Sequence, residues 1–163
     1  KMSKIFNKIK LVHLIWLFFL LLNIAFSFSA YSKAPATEWL SLKYDKTYLR
    51  SGPSKQNKVL WTYKKKGLPI KLIRKKGDWY EVEMPEQIKG WINSSQISFK
   101  RRVLVISENP INIRKKEEIS SKIVAKASRN VVGELIGCQK RFCKIDFYKI
   151  EGFVEKDSLW GID

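Results

Sequence analysis

From Trp39 onward the apolar residues fall in short runs rich in Val, Ile, Leu, Trp and Tyr, and no window carries the stripe of an amphipathic helix. The runs of the first half are Trp39–Leu42, Val59–Tyr63, Leu68–Ile73, Trp79–Met84 and Lys89–Ile92. Those of the second are Val103–Ile106, Ile123–Ala127, Val131–Ile136, Cys143–Phe147 and Gly152–Val154. Turn formers separate them at Ser51-Gly52-Pro53-Ser54, Lys66-Gly67, Gly77-Asp78 and Pro85-Glu86, and the stretch from Tyr44 to Pro53 reads as a long loop. Short strands with closely spaced turns predict an all-β chain built from small barrels or sandwiches. Each half ends in a polar turn and one apolar residue, Asn93-Ser94-Ser95-Gln96-Ile97 and Glu155-Lys156-Asp157-Ser158-Leu159. This predicts one 3₁₀ turn per half, with Ile97 or Leu159 closing the barrel end.

The two halves are copies. Leu49-Arg50 recurs as Ile113-Arg114 after 64 residues, Leu72-Ile73 as Leu135-Ile136 after 63, and Gly90-Trp91-Ile92 as Gly152-Phe153-Val154 after 62. The spacing shrinks only around Lys65–Gly67 and Pro85–Gln87, where turns are expected, so the copies differ in loop length and not in strands. The predicted division is residues 1–32 as a leader, 33–99 as the first barrel and 100–163 as the second. The link from Ser98 to Arg102 has no Gly or Pro and runs straight into a strand, which predicts a rigid pairing.

The leader carries Lys1, Lys4, Lys8 and Lys10 without an acid, then an apolar run from Leu11 to Phe28 broken by His13, Asn23 and Ser27. It reads as an export signal cut after Ser29 or Ser32, or as an uncleaved anchor helix facing the same way. Either reading puts the body outside the inner membrane. The whole chain has a formal charge of +17, and +13 remains once the four leader lysines are set aside. Such a charge commonly indicates a nucleic-acid partner, which export argues against. It suits a partner bearing carboxylates or phosphates.

The only histidine lies in the leader, so a Cys-His or Ser-His nucleophile and a His-ligated zinc site are unavailable to the body. Acid pairs such as Glu81/Glu83 and Glu117/Glu118 lie on strand and turn positions of a Lys-rich surface and read as solvated charge rather than a glycosidase pair. No enzyme, metal or cofactor is expected. Cys138 and Cys143 flank the tip between two predicted strands, where opposite positions approach closely enough for a structural disulfide; a redox pair or half of a metal site are the rival readings.

The series Tyr48-Leu49-Arg50-Ser51-Gly52-Pro53-Ser54, Lys66-Gly67-Leu68-Pro69-Ile70, Gly77-Asp78-Trp79-Tyr80-Glu81-Val82 and Gly90-Trp91-Ile92 resembles the bacterial Src-homology-3-like modules of cell-envelope and cell-wall proteins. The second copy is similar but divergent: Lys115-Lys116-Glu117-Glu118 replaces the Ser-Gly-Pro turn, and Phe142 and Phe153 replace the tryptophans. The closing Leu159-Trp160-Gly161 looks like the end of a family of small exported proteins with two such modules. The resemblance implies two tandem small barrels after a signal or anchor helix.

It also implies a groove for extended peptides beside the first long loop. The rings placed there are Tyr44, Tyr48, Trp61, Tyr63, Trp79 and Trp91, with Lys64, Lys65, Lys66, Arg74, Lys75 and Lys76 as a basic rim. Packing alone also explains Trp79 and Trp91. Arg50 and Arg114 are expected to brace loops. The expected function is a non-catalytic, exported binding module, periplasmic or anchored to the inner membrane facing the periplasm, that holds peptidoglycan or its stem peptides. The alternative is a periplasmic scaffold for an extended peptide of another protein. Membrane contact is expected only through the leader if uncleaved.

Overall fold

A computed structural model describes residues 37–162; the signal or anchor expected over 1–32 lies outside the described residues. The chain folds into two antiparallel seven-stranded sheets of the same topology. The first holds β1 (Trp39–Leu42), β2 (Thr47–Arg50), β3 (Val59–Tyr63), β4 (Pro69–Lys76), β5 (Trp79–Glu83), β6 (Lys89–Asn93) and β7 (Ile97–Ser98), in the order β3-β2-β6-β5-β4-β1-β7. The second holds β8 (Arg102–Val105), β9 (Ile111–Arg114), β10 (Ile123–Ala127), β11 (Val132–Gln139), β12 (Phe142–Asp146), β13 (Glu151–Glu155) and β14 (Leu159–Trp160), in the order β10-β9-β13-β12-β11-β8-β14. Each sheet curls so that strands from both ends feed one core: Tyr63 of β3 and Ile97 of β7 pack on the same cluster.

The strands follow the apolar runs, with two differences. The stretch read as a loop from Tyr44 to Pro53 contains β2, and its counterpart is β9. Both are four residues long and alternate buried with half-buried, Thr47 and Leu49 inward, Tyr48 and Arg50 outward. Two apolar positions in four residues are too short a pattern to stand out beside charged loops. β4 and β11 also extend past the apolar runs into Arg74-Lys75-Lys76 and Gly137-Cys138-Gln139, because a long hairpin keeps its ladder where both faces are wet. The expected 3₁₀ turns are present at Ser94–Gln96 and Lys156–Ser158, each followed by a buried residue, Ile97 or Leu159. In the first, the Asn93 side chain accepts from the Ser95 amide at 3.2 Å.

The repeat extends to details of the backbone. Both β2/β3 and β9/β10 carry a register shift, past Leu60 and Val124, and both long hairpins carry one past Ile73 and Ile136. All four of these bulged residues are exposed, as an extra residue in a ladder is. The lost residues fall where the spacing placed them. Lys64-Lys65-Lys66 stands against Ser128-Arg129, ahead of Gly67 and Asn130, which both have positive φ (76° and 67°). The turn closed by Met84 N–H to Ile88 C=O is closed one residue sooner by Phe147 N–H to Ile150 C=O. Gly90 and Gly152 are needed at the same crossing of the barrels: a Cβ on Gly90 would lie 2.7 Å from Leu49 and 2.9 Å from the Arg50 carbonyl, and one on Gly152 would lie 2.5 Å from Ile113 and 2.7 Å from the Arg114 carbonyl.

The two barrels dock. In β8 the side chains alternate, so Val103 and Val105 enter the second core while Leu104 enters the first, beside Leu40, Ile70 and Ile97. Trp160 packs edge-on against Trp39 with ring centroids 5.0 Å apart, and its Nε1 donates to the Pro69 carbonyl at 3.3 Å. Gly161 then turns with φ 106°, and a Cβ there would lie 2.4 Å from the Arg102 carbonyl and 3.0 Å from Pro69. Ser41 Oγ, buried, donates to the Lys100 carbonyl at 2.9 Å and fixes the link. The described residues, 37–162, therefore fall in one compact unit, in keeping with the rigid pairing read from the link.

Cys138 and Cys143 are bonded, opposite each other in the β11–β12 hairpin with Cα atoms 4.0 Å apart. Closing so short a loop stabilises by about 2 kcal/mol in the chain-entropy model, so the pair Cys138→Ala and Cys143→Ala should lower the unfolding free energy by about that amount in urea titration. Leu104→Ala should cost about 2–4 kcal/mol and should loosen the first barrel although the residue belongs to the second, which hydrogen exchange of Leu40 and Ile70 amides would register. Unchanged exchange there would show that the docking does not support the first core.

Candidate functional site

Sheet register arranges the outer face of the first barrel as a row. Arg50 of β2 lies beside Trp91 of β6, Trp91 beside Glu81 of β5, and Glu81 beside Arg74 of β4. Opposite residues of neighbouring antiparallel strands share a face, so these four side chains stand together on the side away from the core. Arg74 pairs with Glu81 through Nε and lays its guanidinium 5.2 Å from the centre of the Trp91 ring. Trp91 is consequently only 6% exposed while belonging to no core cluster. Trp79, diagonal to it on the same face, is half-buried. Arg50 turns to the loop: its Nη1 donates to the carbonyls of Lys55 (2.9 Å) and Asn57 (2.8 Å). Arg114 does the same to Ser121 at 3.0 Å. Both arginines are loop braces.

The six rings proposed for the groove are spread over several surfaces. Tyr48 stands on the outer face with the cations of Lys46 and Arg50 at 5.3 and 5.7 Å from its ring centre. Trp79 and Trp91 lie further along that face. Tyr63 packs against the core, and burial followed by the nearby Glu86 carboxylate pushes its phenol well above the usual tyrosine range. Trp61, on the free edge strand β3, is 55% exposed. Tyr44 is 48% exposed and sits apart, in the loop between β1 and β2. The basic rim divides as well: Lys64, Lys65 and Lys66 lie on the β3–β4 turn, whereas Arg74, Lys75 and Lys76 lie at the far end of the long hairpin. Lys75 is paired with Glu38 at 3.1 Å.

The matching row of the second barrel is Arg114, Phe153, Lys144 and Gly137. Glycine stands where Arg74 clamps the first barrel, and lysine stands where Glu81 holds it. The vacated space is an open pocket of about 330 Å³ floored by Phe142, Phe153 and the Cys138 side of the disulfide. The first barrel closes the equivalent surface with its own guanidinium.

A second concavity, about 600 Å³, lies where the barrels dock. Leu42 and Tyr44 of the first barrel and Val132 of the second line it, with Lys43, Lys66, Lys100 and Arg102 around them. Of the groove and rim residues only Tyr44 and Lys66 reach it. Lys43, Lys100, Arg102 and Val132 escaped the reading of the sequence as site residues, because the cleft exists only once the two copies pack. The Lys100-Arg101-Arg102 run was the one local signal. Among the described residues no cluster of His, Cys, Asp and Glu has the makeup of a metal site.

The family model of the bacterial SH3 domain matches residues 43–98. No curated protein matches the sequence. Similar solved structures include NlpC2 from Trichomonas vaginalis, 10% identical over 78% of this chain and 49% of that one with a TM-score of 0.37. NlpC1 from the same organism is 13% identical over 80% and 48% with a TM-score of 0.35. An NlpC/P60 family protein from Bacillus cereus is 11% identical over 75% and 55%, with a TM-score of 0.34. The chain thus spans about half the length of each, and these are distant likenesses. Residues 43–98, from the β1–β2 loop to β7, thus match the bacterial SH3 domain, and the second barrel repeats the strand order, bulges and arginine brace of the first.

Proposed function

We propose that this protein is an exported, non-catalytic binding module of the cell envelope that holds peptidoglycan through its stem peptides. The observation that carries the reading is the bacterial SH3 domain at residues 43–98, joined to a body whose basic residues exceed its acids by 13. Stem peptides carry carboxylates, and a positive surface draws such a polymer in and holds it weakly at many points. The absence of histidine from the body supports a binding role over a Cys-His hydrolase. The leader supports placement outside the inner membrane.

A second reading, a scaffold that takes an extended peptide of another envelope protein, is favoured by β3. That strand ends its sheet, and Leu60 and Trp61 on it are exposed, so a peptide adding to the edge would find both backbone partners and apolar cover.

Sedimentation with purified sacculi separates the two. The purified chain should sediment with sacculi at low salt and be released as ionic strength rises past about 0.1 M, where the screening length falls to about 10 Å. A chain that stays in solution at low salt would overturn the peptidoglycan reading, and its retention on a single purified envelope protein would establish the second.

A further inference from the structure

We propose that the cleft between the barrels is the seat of a peptide ending in a free carboxylate. This deepens the reading of the chain as an envelope binder by naming where its ligand's anionic end is held, and rests on that reading for the source of the peptide. The cleft is lined by four cationic side chains, Lys43, Lys66, Lys100 and Arg102, and by no carboxylate. Two acids lie nearby, of which Glu134 is ion-paired. Glu134 holds Arg102 at 2.9 Å, and Asp45 Oδ1 accepts the backbone N–H of Lys66 at 3.3 Å. Lys66 and Lys100 form no ion pair among the described residues, which leaves two ammonium groups for an incoming anion.

The position of these lysines is set by the fold. The Lys100 backbone is held on both sides, its carbonyl by Ser41 Oγ at 2.9 Å and its N–H by Ser98 Oγ at 3.2 Å. Gly67, next to Lys66, lies against the second barrel: a Cβ there would be 3.5 Å from Val132 and 3.8 Å from Arg102. The backbones of the two lysine-bearing segments are thus fixed beside the cleft before any ligand arrives, so that only the lysine side chains have to be ordered on binding.

The walls select the class of anion. Leu42, Tyr44 and Val132 give the cleft an apolar side, and its volume is that of a small-molecule site. The one guanidinium, best suited to a bidentate grip on phosphate, is occupied by Glu134, while lysine ammoniums serve as point charges. An inorganic phosphate would leave the apolar wall uncovered. A peptide terminus uses both, its carboxylate between Lys66 and Lys100 and its last side chain on Tyr44.

The test is an NMR titration of the full chain with N-acetyl-Ala-Ala-Ala carrying a free carboxylate, its C-terminal amide, and inorganic phosphate. The free-carboxylate peptide should shift the amides of Tyr44, Lys66 and Lys100, and the double variant Lys66→Gln, Lys100→Gln should weaken it about tenfold. The double variant Lys122→Gln, Lys126→Gln, which removes the same charge beside β10, should leave affinity within about twofold. Equal binding of the amide, tighter binding of phosphate, or an equal loss in the β10 variant would each overturn the assignment. Sacculus binding that survives Lys66→Gln with Lys100→Gln would overturn the cleft while leaving the envelope reading intact. Peptide binding without sacculus binding would support the cleft and remove that reading.

Discussion

The docking of Leu104 and Trp160 onto the first barrel is the contact on which the rest of the molecule depends. A barrel of about sixty residues buries too little apolar surface to be secure alone. This chain answers by letting one strand serve two cores. β8 sends alternate side chains in opposite directions, so the first strand of the second copy completes the first copy's interior. Trp160, the ladder partner of Leu104, locks the same junction with a ring contact to Trp39 and a hydrogen bond to Pro69. The cleft and the close seat of Gly67 against the second barrel follow from that one junction.

Two copies of one topology can therefore diverge on the faces that the junction leaves free. In the first, Arg74 reaches Glu81 and covers Trp91, so its outer face is closed by an ion pair laid over a ring. As an exposed pair it contributes little to stability, but it occupies the space above the tryptophan. In the second, Gly137 and Lys144 remove both members of the clamp, and the disulfide sits at the pocket's floor. The copy with smaller aromatics is thus the one with the open surface pocket.

Most of the architecture was legible because a period of two in apolar residues and the punctuation of Gly, Pro and Asn are local properties. The copies, the two shortened turns, the closing 3₁₀ turns and the paired cysteines all rest on such local signals, and the family match covers most of the first copy. β2 and β9 were hidden because four alternating residues beside charged loops carry too little periodicity. The site was less legible for a different reason. Which rings converge depends on register: Trp91 faces Arg74 only because Glu81 lies between them in the ladder. The difference between Arg74 and Gly137 was present in the repeat itself, yet its meaning required knowing that both positions face outward.

Electrostatics gives the junction its functional weight. Basic residues are spread over the whole chain, and on an open surface each would be screened within about one Debye length and hydrated. A concave wall changes that, because side chains and backbone displace water on several sides and the field of neighbouring cations adds up within the gap. The body's charge is diffuse in sequence, but at the junction Lys43 and Lys66 from one copy meet Lys100 and Arg102 from the start of the other. Duplication of a barrel whose charge is diffuse, followed by docking of the copies, is sufficient to create a concentrated cationic cleft that neither copy possesses alone. Selection on this molecule would then act on the packing of Leu104 and Trp160 as strongly as on the lysines, since a shift in either apolar anchor would move the two halves of the site apart.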